Sequence, residues 1–171
     1  MLTILDLASK LIKKCVLILV IFPLLVAATP KYEILNSKNS RLTLRLAITR
    51  DEHQKGLSGL KPHEFKENEG MLFINESMDE RKFWMPDTYF NLDIIFLDKN
   101  LKIVGIEKNV PFHPGFIEPP VIFKTKSYIA QYILETKAGA PFSKNLKIGD
   151  VLKWKGPSAL SEIGLKTHLK Q

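Results

Sequence analysis

LDIIFLDKNLKIVGIE, residues 92–107, decides the fold. Two apolar runs, 92–98 and 101–107, are parted only by Lys99 and Asn100, the spacing of two strands joined by a tight turn. In the first run Leu92, Ile94 and Phe96 fall on one side of a strand, while Asp93, Ile95 and Leu97 fall on the other. Both sides carry large apolar residues, so neither is a plain solvent face. Asp93 must then be hydrogen-bonded, with Thr88, Arg81 or backbone amides as its expected partners.

Working outward, RLTLRLAIT (41–49) alternates cleanly, with Leu42, Leu44, Leu46 and Ile48 opposite Arg41, Thr43 and Arg45. That is a half-buried strand. Thr49 followed by Glu52 spells a capping box, and Gly56 ends the short helix it starts. MLFI (71–74) and RKFWM (81–85) read as short strands, the second stopped by Pro86. Thr29 to Asn39 reads as a polar lead-in. Beyond the hairpin, Pro111, Pro114, Pro119 and Pro120 stiffen a long loop. YIAQYILE (128–135) suits helix or strand, and its β-branched and aromatic content favours strand. After the turn-rich connector AGAPFSKNLKIGD (138–150), VLKWK (151–155) is the last strand. About seven short strands predict one mainly β domain over residues 31–156, a compact sandwich or partly closed barrel with one or two short helices. Residues 157–171 read as a peripheral C-terminal tail.

The first 28 residues stand apart. Lys10, Lys13 and Lys14 precede an apolar run from Cys15 to Ala28, and small residues at Val26 and Ala28 suit a cleavage site before Thr29. This is the pattern of a signal peptide. As a helix the run would reach about 21 Å, short of the roughly 30 Å hydrocarbon core. The expectation is export to the periplasm or the extracellular space, with an uncleaved N-terminal membrane anchor as the alternative. Removing residues 1–28 takes away Lys10, Lys13, Lys14 and Asp6, lowering the formal charge from +7 to +5, and also removes Cys15, the only cysteine. The remaining domain has no thiol chemistry and no disulfide. Its basic residues are spread along the chain, which argues against nucleic acid as a partner.

GLSG at 56–59, EGMLF at 69–73, FWM at 83–85, Asp87-Thr88, LDIIF at 92–96, YILE at 132–135, Ala138-Gly139 and Gly149-Asp150 together resemble the DUF192 family in order and spacing, over about residues 41–155. The resemblance implies a compact, β-rich and often exported domain with no established activity. It also marks one departure, since Asp87 stands where the family commonly has Asn. Asp lacks the amide donor.

Three carboxylates near the apolar segments are catalytic candidates: Glu69, Asp87 and Asp93. Glu69 equally suits a loop carboxylate that ties down the glycine turn beside it. A pair of the three at a suitable separation could hydrolyse a glycosidic bond, with Phe83, Trp84 and Tyr89 as a stacking wall. Trp84, Asp87, Asp93 and three residues of the proline loop, Phe112, His113 and Phe116, are the ligand-binding candidates. The loop equally suits a rigid crossover that plugs one end of the core. Metal and cofactor chemistry is not expected. His53, His63, His113 and His168 form no ligand spacing, and no serine sits in a GxSxG elbow. Met71, Met78 and Met85 recur every seven residues, but the first and last suit core packing better than copper. The sequence reading is a non-enzymatic ligand-binding or accessory domain of the cell envelope, its partner an envelope glycan, a peptide or a small molecule. The alternative is a carbohydrate-active hydrolase.

Overall fold

The computed structural model describes residues 31–165. Seven strands form one mixed sheet: β1 (Glu33–Leu35), β2 (Arg41–Ala47), β3 (Glu69–Arg81), β4 (Leu92–Leu97), β5 (Ile103–Val110), β6 (Tyr128–Lys137) and β7 (Lys153–Lys155). Their spatial order is β5-β4-β6-β3-β2-β1-β7. Every adjacent pair is antiparallel except β2–β3, which is parallel and joined by a crossover carrying α1 (Arg50–Lys55) and a 3-10 turn (Pro62–Glu64). A bridge from Lys102 to Val151 links the two ends of this order, so the sheet curls into a half-open barrel. A second short helix, α2 (Leu160–Leu165), follows β7.

Curling gives the sheet an inside and an outside, and both are apolar. Ile34, Leu42, Leu44, Leu72, Leu134, Ile95 and Ile103 fill the interior, and Trp154 of β7 packs against them. The outer face carries Met71, Phe73, Ile94, Phe96 and Ile133, covered by Leu57, Phe65 and Met85 from the connecting segments. Hence all six residues of β4 are buried. Met71 and Met85 both belong to this packing, whereas Met78 is exposed. Gly105 of β5 leaves room for the Tyr128 ring, since a Cβ there would lie 2.2 Å from it. That ring in turn sits 4.4 Å from Phe96, centroid to centroid.

The local signals hold. Thr49 Oγ1 accepts from the Glu52 amide at 3.2 Å, and Glu52 accepts from the amides of Thr49 and Ile48 at 2.8 Å each. In the β4–β5 turn, the Asp98 carboxylate accepts from the amides of Asn100 and Lys102, at 2.8 and 2.9 Å. YIAQYILE is strand β6, between β3 and β4.

Other expectations change. Residues 33–35 are a strand rather than lead-in, because they bridge β2 and β7. RKFWM is not a separate strand. β3 continues past a register shift to Arg81, through the exposed residues Glu76–Glu80, and Trp84 makes only an isolated bridge to Lys124. A polar stretch can extend a strand when its partner, here Tyr128–Ala130, supplies the ladder. The tail expected to be peripheral carries α2, whose Leu160 and Ile163 are buried in the interior core. Residues 1–28, the expected signal peptide, and residues 166–171 lie outside the described residues.

Candidate functional site

A cleft of about 430 Å³ opens on the outer face of the sheet. One wall is the end of α1 and the turn after it, from His53 to Ser58; the other is the end of β3 with the strap that continues it, from Glu80 to Thr88. Phe73 of β3, Leu92 of β4 and Glu135 of β6 also line it. The walls are held by local chemistry. Gly56 ends α1 with φ of 46°, a left-handed conformation that suits glycine, and a Cβ there would lie 3.1 Å from the Phe73 ring. On the strap, Asp87 also has positive φ, at 50°. Its carboxylate accepts from Ser58 Oγ at 2.9 Å and from Tyr89 Oη at 3.0 Å, and its carbonyl accepts from the Gly59 amide at 2.8 Å. Asp87 thus clamps one wall to the other, using acceptor atoms that an Asn would share only in part.

The large apolar side chains of the lining are Leu57, Phe73, Phe83, Trp84, Met85 and Leu92, with Trp84 55% exposed at the rim. His53 stands against Phe73 edge to face, with Nε2 3.0 Å from the Ala47 carbonyl oxygen, and burial, the leading cause, holds its pKa below 6.5. Arg50, Lys55, Arg81 and Lys82 line the cleft with one acid of the strap, Glu80.

Glu135 is the unusual member. It lies opposite Met71 of β3 and Ile94 of β4, is only 4% exposed, and has no hydrogen-bond partner among the described residues. Burial pushes its carboxyl up from 4.5 to about 8, so the protonated, neutral form prevails at pH 7. An unpaired buried acid is costly to keep, and such groups concentrate at functional sites. Sequence reading passed over it inside YILE. The available signal was the one that singled out Asp93: an acid within a run whose neighbours are buried.

The acids chosen from the sequence sit elsewhere, and none of the three lines the cleft. Glu69 accepts from Arg45 Nη2 at 3.1 Å and from the Lys66 amide at 3.2 Å. Asp93 lies on the interior side of the sheet, beside Thr136 and 2% exposed. It accepts from Ser143 Oγ at 2.6 Å, the Asn109 amide at 2.9 Å, Lys108 Nζ at 3.1 Å and the Gly139 amide at 3.3 Å. Backbone amides were expected there; Thr88 and Arg81 are not among its partners. Burial works to raise the Asp93 carboxyl, but the Ser143 hydroxyl, the Asn109 amide and Lys108 outweigh it and hold the pKa below 3.8.

The proline loop divides. Phe112 and Phe116 are exposed, as are Ile117 and Val121, but none of the four lines the cleft. His113 is not presented to a partner: it is 3% exposed, its ring nitrogens 3.1 Å from the Gly115 carbonyl oxygen and 2.8 Å from that of Pro120. Its backbone pairs with Thr88, and the Thr88 hydroxyl accepts from the His113 amide while donating to the Met85 carbonyl. The loop therefore braces the strap. No group of acids, histidines or cysteines with metal-binding geometry occurs among the described residues.

A half-open barrel whose outer face is roofed by connecting segments, with a cleft under the roof, defines the class of domain. The chain belongs to the DUF192 family, described as "Uncharacterized ACR", which it matches over residues 33–154. Among solved structures it is similar to a proposed transcription regulator from Sinorhizobium meliloti 1021, at 23% identity over 73% of this chain and 92% of that one, with a TM-score of 0.59. It is also similar to a protein of unknown function from Novosphingobium aromaticivorans DSM 12444, at 25% identity over 75% of this chain and 94% of that one, with a TM-score of 0.58. These likenesses are of fold. No curated protein matches the chain.

Proposed function

We propose that the protein is a non-enzymatic ligand-binding domain of the cell envelope, and that a small molecule occupies the cleft between α1 and the Glu80–Thr88 strap. One observation carries this reading: a largely apolar cleft of about 430 Å³ with a single buried, unpartnered carboxyl among its lining groups. Its volume lies within the range of small-molecule sites, and apolar walls with a few convergent polar groups are their usual make-up. The hydrolase alternative gains nothing from the geometry, because Glu69, Asp87 and Asp93 lie outside the cleft lining and each is taken up by donors of the fold.

A ligand screen by thermal shift tests the reading. A true ligand raises the melting temperature of the protein, and Trp84→Ala, at an exposed rim position that leaves the core intact, removes most of that rise. Stabilisation that survives Trp84→Ala, and that is lost instead on changing Phe112 and Phe116, would move the site to the proline loop.

The envelope placement rests on the basic, apolar and small-residue succession of residues 1–28. Intact-mass measurement on protein from its own host is expected to show a species beginning at Thr29. A species that keeps residues 1–28 would turn the proposal to an anchored form.

A further inference from the structure

Resting on the cleft as the binding site, we propose its ligand class: an amphipathic organic acid whose inner end carries a hydrogen-bond acceptor for the Glu135 carboxyl and whose anionic group meets the basic side chains of the lining. Three features converge on this chemistry. Trp84, 55% exposed, and the half-buried Phe83 present apolar surface to a hydrocarbon or aromatic body, and the edges of Leu57, Phe73, Met85 and Leu92, each 3% exposed or less, close the cleft beneath them. Arg50, Lys55 and Lys82 are exposed lining residues, and their charge outweighs that of Glu80, so the field at the cleft draws anions and repels amines. Glu135 then offers what a buried neutral acid offers, one O–H donor with no protein acceptor in reach. The fold supplies this carboxyl with no acceptor and opens it onto the cleft, so a carbonyl or ether oxygen placed there gains the hydrogen bond. A ligand without that acceptor leaves the donor buried and unmet, which is the stronger source of discrimination.

Binding is then linked to protons. Ionisation of Glu135 removes the donor and places a negative charge under an anionic ligand. With the carboxyl titrating at about 8, affinity is flat below neutral pH and falls as pH rises through 8. Other charged groups stand around this carboxyl. His53 titrates below 6.5, outside that window. On the same face of the sheet, Arg45 and Glu107 stand beyond Met71 and Ile94 in Glu135's row, and Lys137, two residues along β6, donates to the Pro62 carbonyl. Arg81 is bonded to the Ser77 carbonyl.

Three matched probes separate the contributions: 4-benzoylbenzoate has acid and acceptor, 4-benzylbenzoate the acid alone, and benzophenone the acceptor alone. Calorimetric titration of the protein as its host produces it is expected to rank 4-benzoylbenzoate tightest. Its affinity should drop about tenfold between pH 6.5 and pH 9, where roughly nine-tenths of a group titrating at 8 is ionised. 4-Benzylbenzoate should show a smaller drop, because charge repulsion acts on it but it has no hydrogen bond to lose. Glu135→Gln, which keeps a donor, retains 4-benzoylbenzoate binding and abolishes the pH dependence; Glu135→Leu erases the preference for the benzoyl over the benzyl acid. Lys55→Gln with Lys82→Gln weakens both acids and leaves benzophenone unchanged. Equal affinity for the two acids in the wild-type protein, or the same pH profile in Glu135→Gln, overturns the inference, as does tighter binding of benzophenone than of either acid. If these probes fail while other compounds in the thermal-shift screen bind in a Trp84-dependent way, the ligand class falls and the binding site stands. If nothing binds at the cleft, both fall.

Discussion

Glu135→Gln is expected to stabilise the protein at pH 8.5 by on the order of 3 kcal/mol and to leave its stability at pH 4.5 almost unchanged. In the unfolded chain this carboxyl ionises near its ordinary 4.5; in the fold it ionises only at about 8, because burial penalises the charged form. Between those values the native state holds a proton that the unfolded chain has released. The native state is therefore favoured less and less as pH rises from about 4.5 to 8, and the penalty is constant above that. A movement of this size corresponds to a ceiling near 5 kcal/mol at about 1.4 kcal/mol per pH unit, which local relaxation of the cleft lowers. Gln matches Glu in shape and cannot ionise, so it removes the whole slope. Urea unfolding of both proteins across this range is the measurement. Parallel profiles would show that the carboxyl reaches water in the fold.

Asp93→Ala should act in the opposite sense, lowering stability at pH 7 by on the order of 2 kcal/mol. The substitution removes the acceptor of the Ser143 hydroxyl and of the Asn109 and Gly139 amides at a site 2% exposed, although Ser143 keeps the Ala140 carbonyl at 3.2 Å and Asn109 and Gly139 are exposed residues. Lys108 is 40% exposed and turns to water at little cost, which keeps the figure below that of a fully buried ion pair. The pH dependence has its own sign. The folded pKa lies below 3.8, so the carboxylate's contribution is complete above the unfolded value and is lost as pH falls through the folded one. The gap between wild type and Asp93→Ala is therefore widest at neutral pH and narrows below pH 4. A loss under 1 kcal/mol at pH 7 would mean that the cluster around Ser143 is satisfied without the acid.

The two residues also show what sequence could and could not convey. Alternation at 41–49, the capping box at Thr49 and the turn at Asp98 are local, each fixed by groups within a few residues, and each was readable. So was the predicament of Asp93, because burial on both faces of β4 follows from its own run of side chains. Its partners were not readable. Ser143 and Lys108 reach it through a connector and a neighbouring strand, 50 and 15 residues away in the chain. β1 escaped because three residues carry no period, and the outer half of β3 because its polar side chains look like loop. Trp84 was marked for its type, yet the cleft beside it depends on how α1 and the strap roof the outer face. That long-range arrangement leaves Glu135 unpaired.

The pairing of β1 with β7 sets an order on how the molecule can be completed. A chain delivered from its N terminus, by the ribosome or through a membrane pore, presents Glu33–Leu35 before the other strands of the sheet and Lys153–Lys155 after them. The β4–β5 hairpin forms from neighbours as soon as it emerges, but the seam cannot close until the five strands between β1 and β7 have arrived. Up to that moment β1 holds an open row of amides and carbonyls, the kind of edge on which a second chain can add a strand. Secretion in unfolded form would postpone the whole reaction to the far side of the membrane, where the late strand reaches its early partner within one continuous passage.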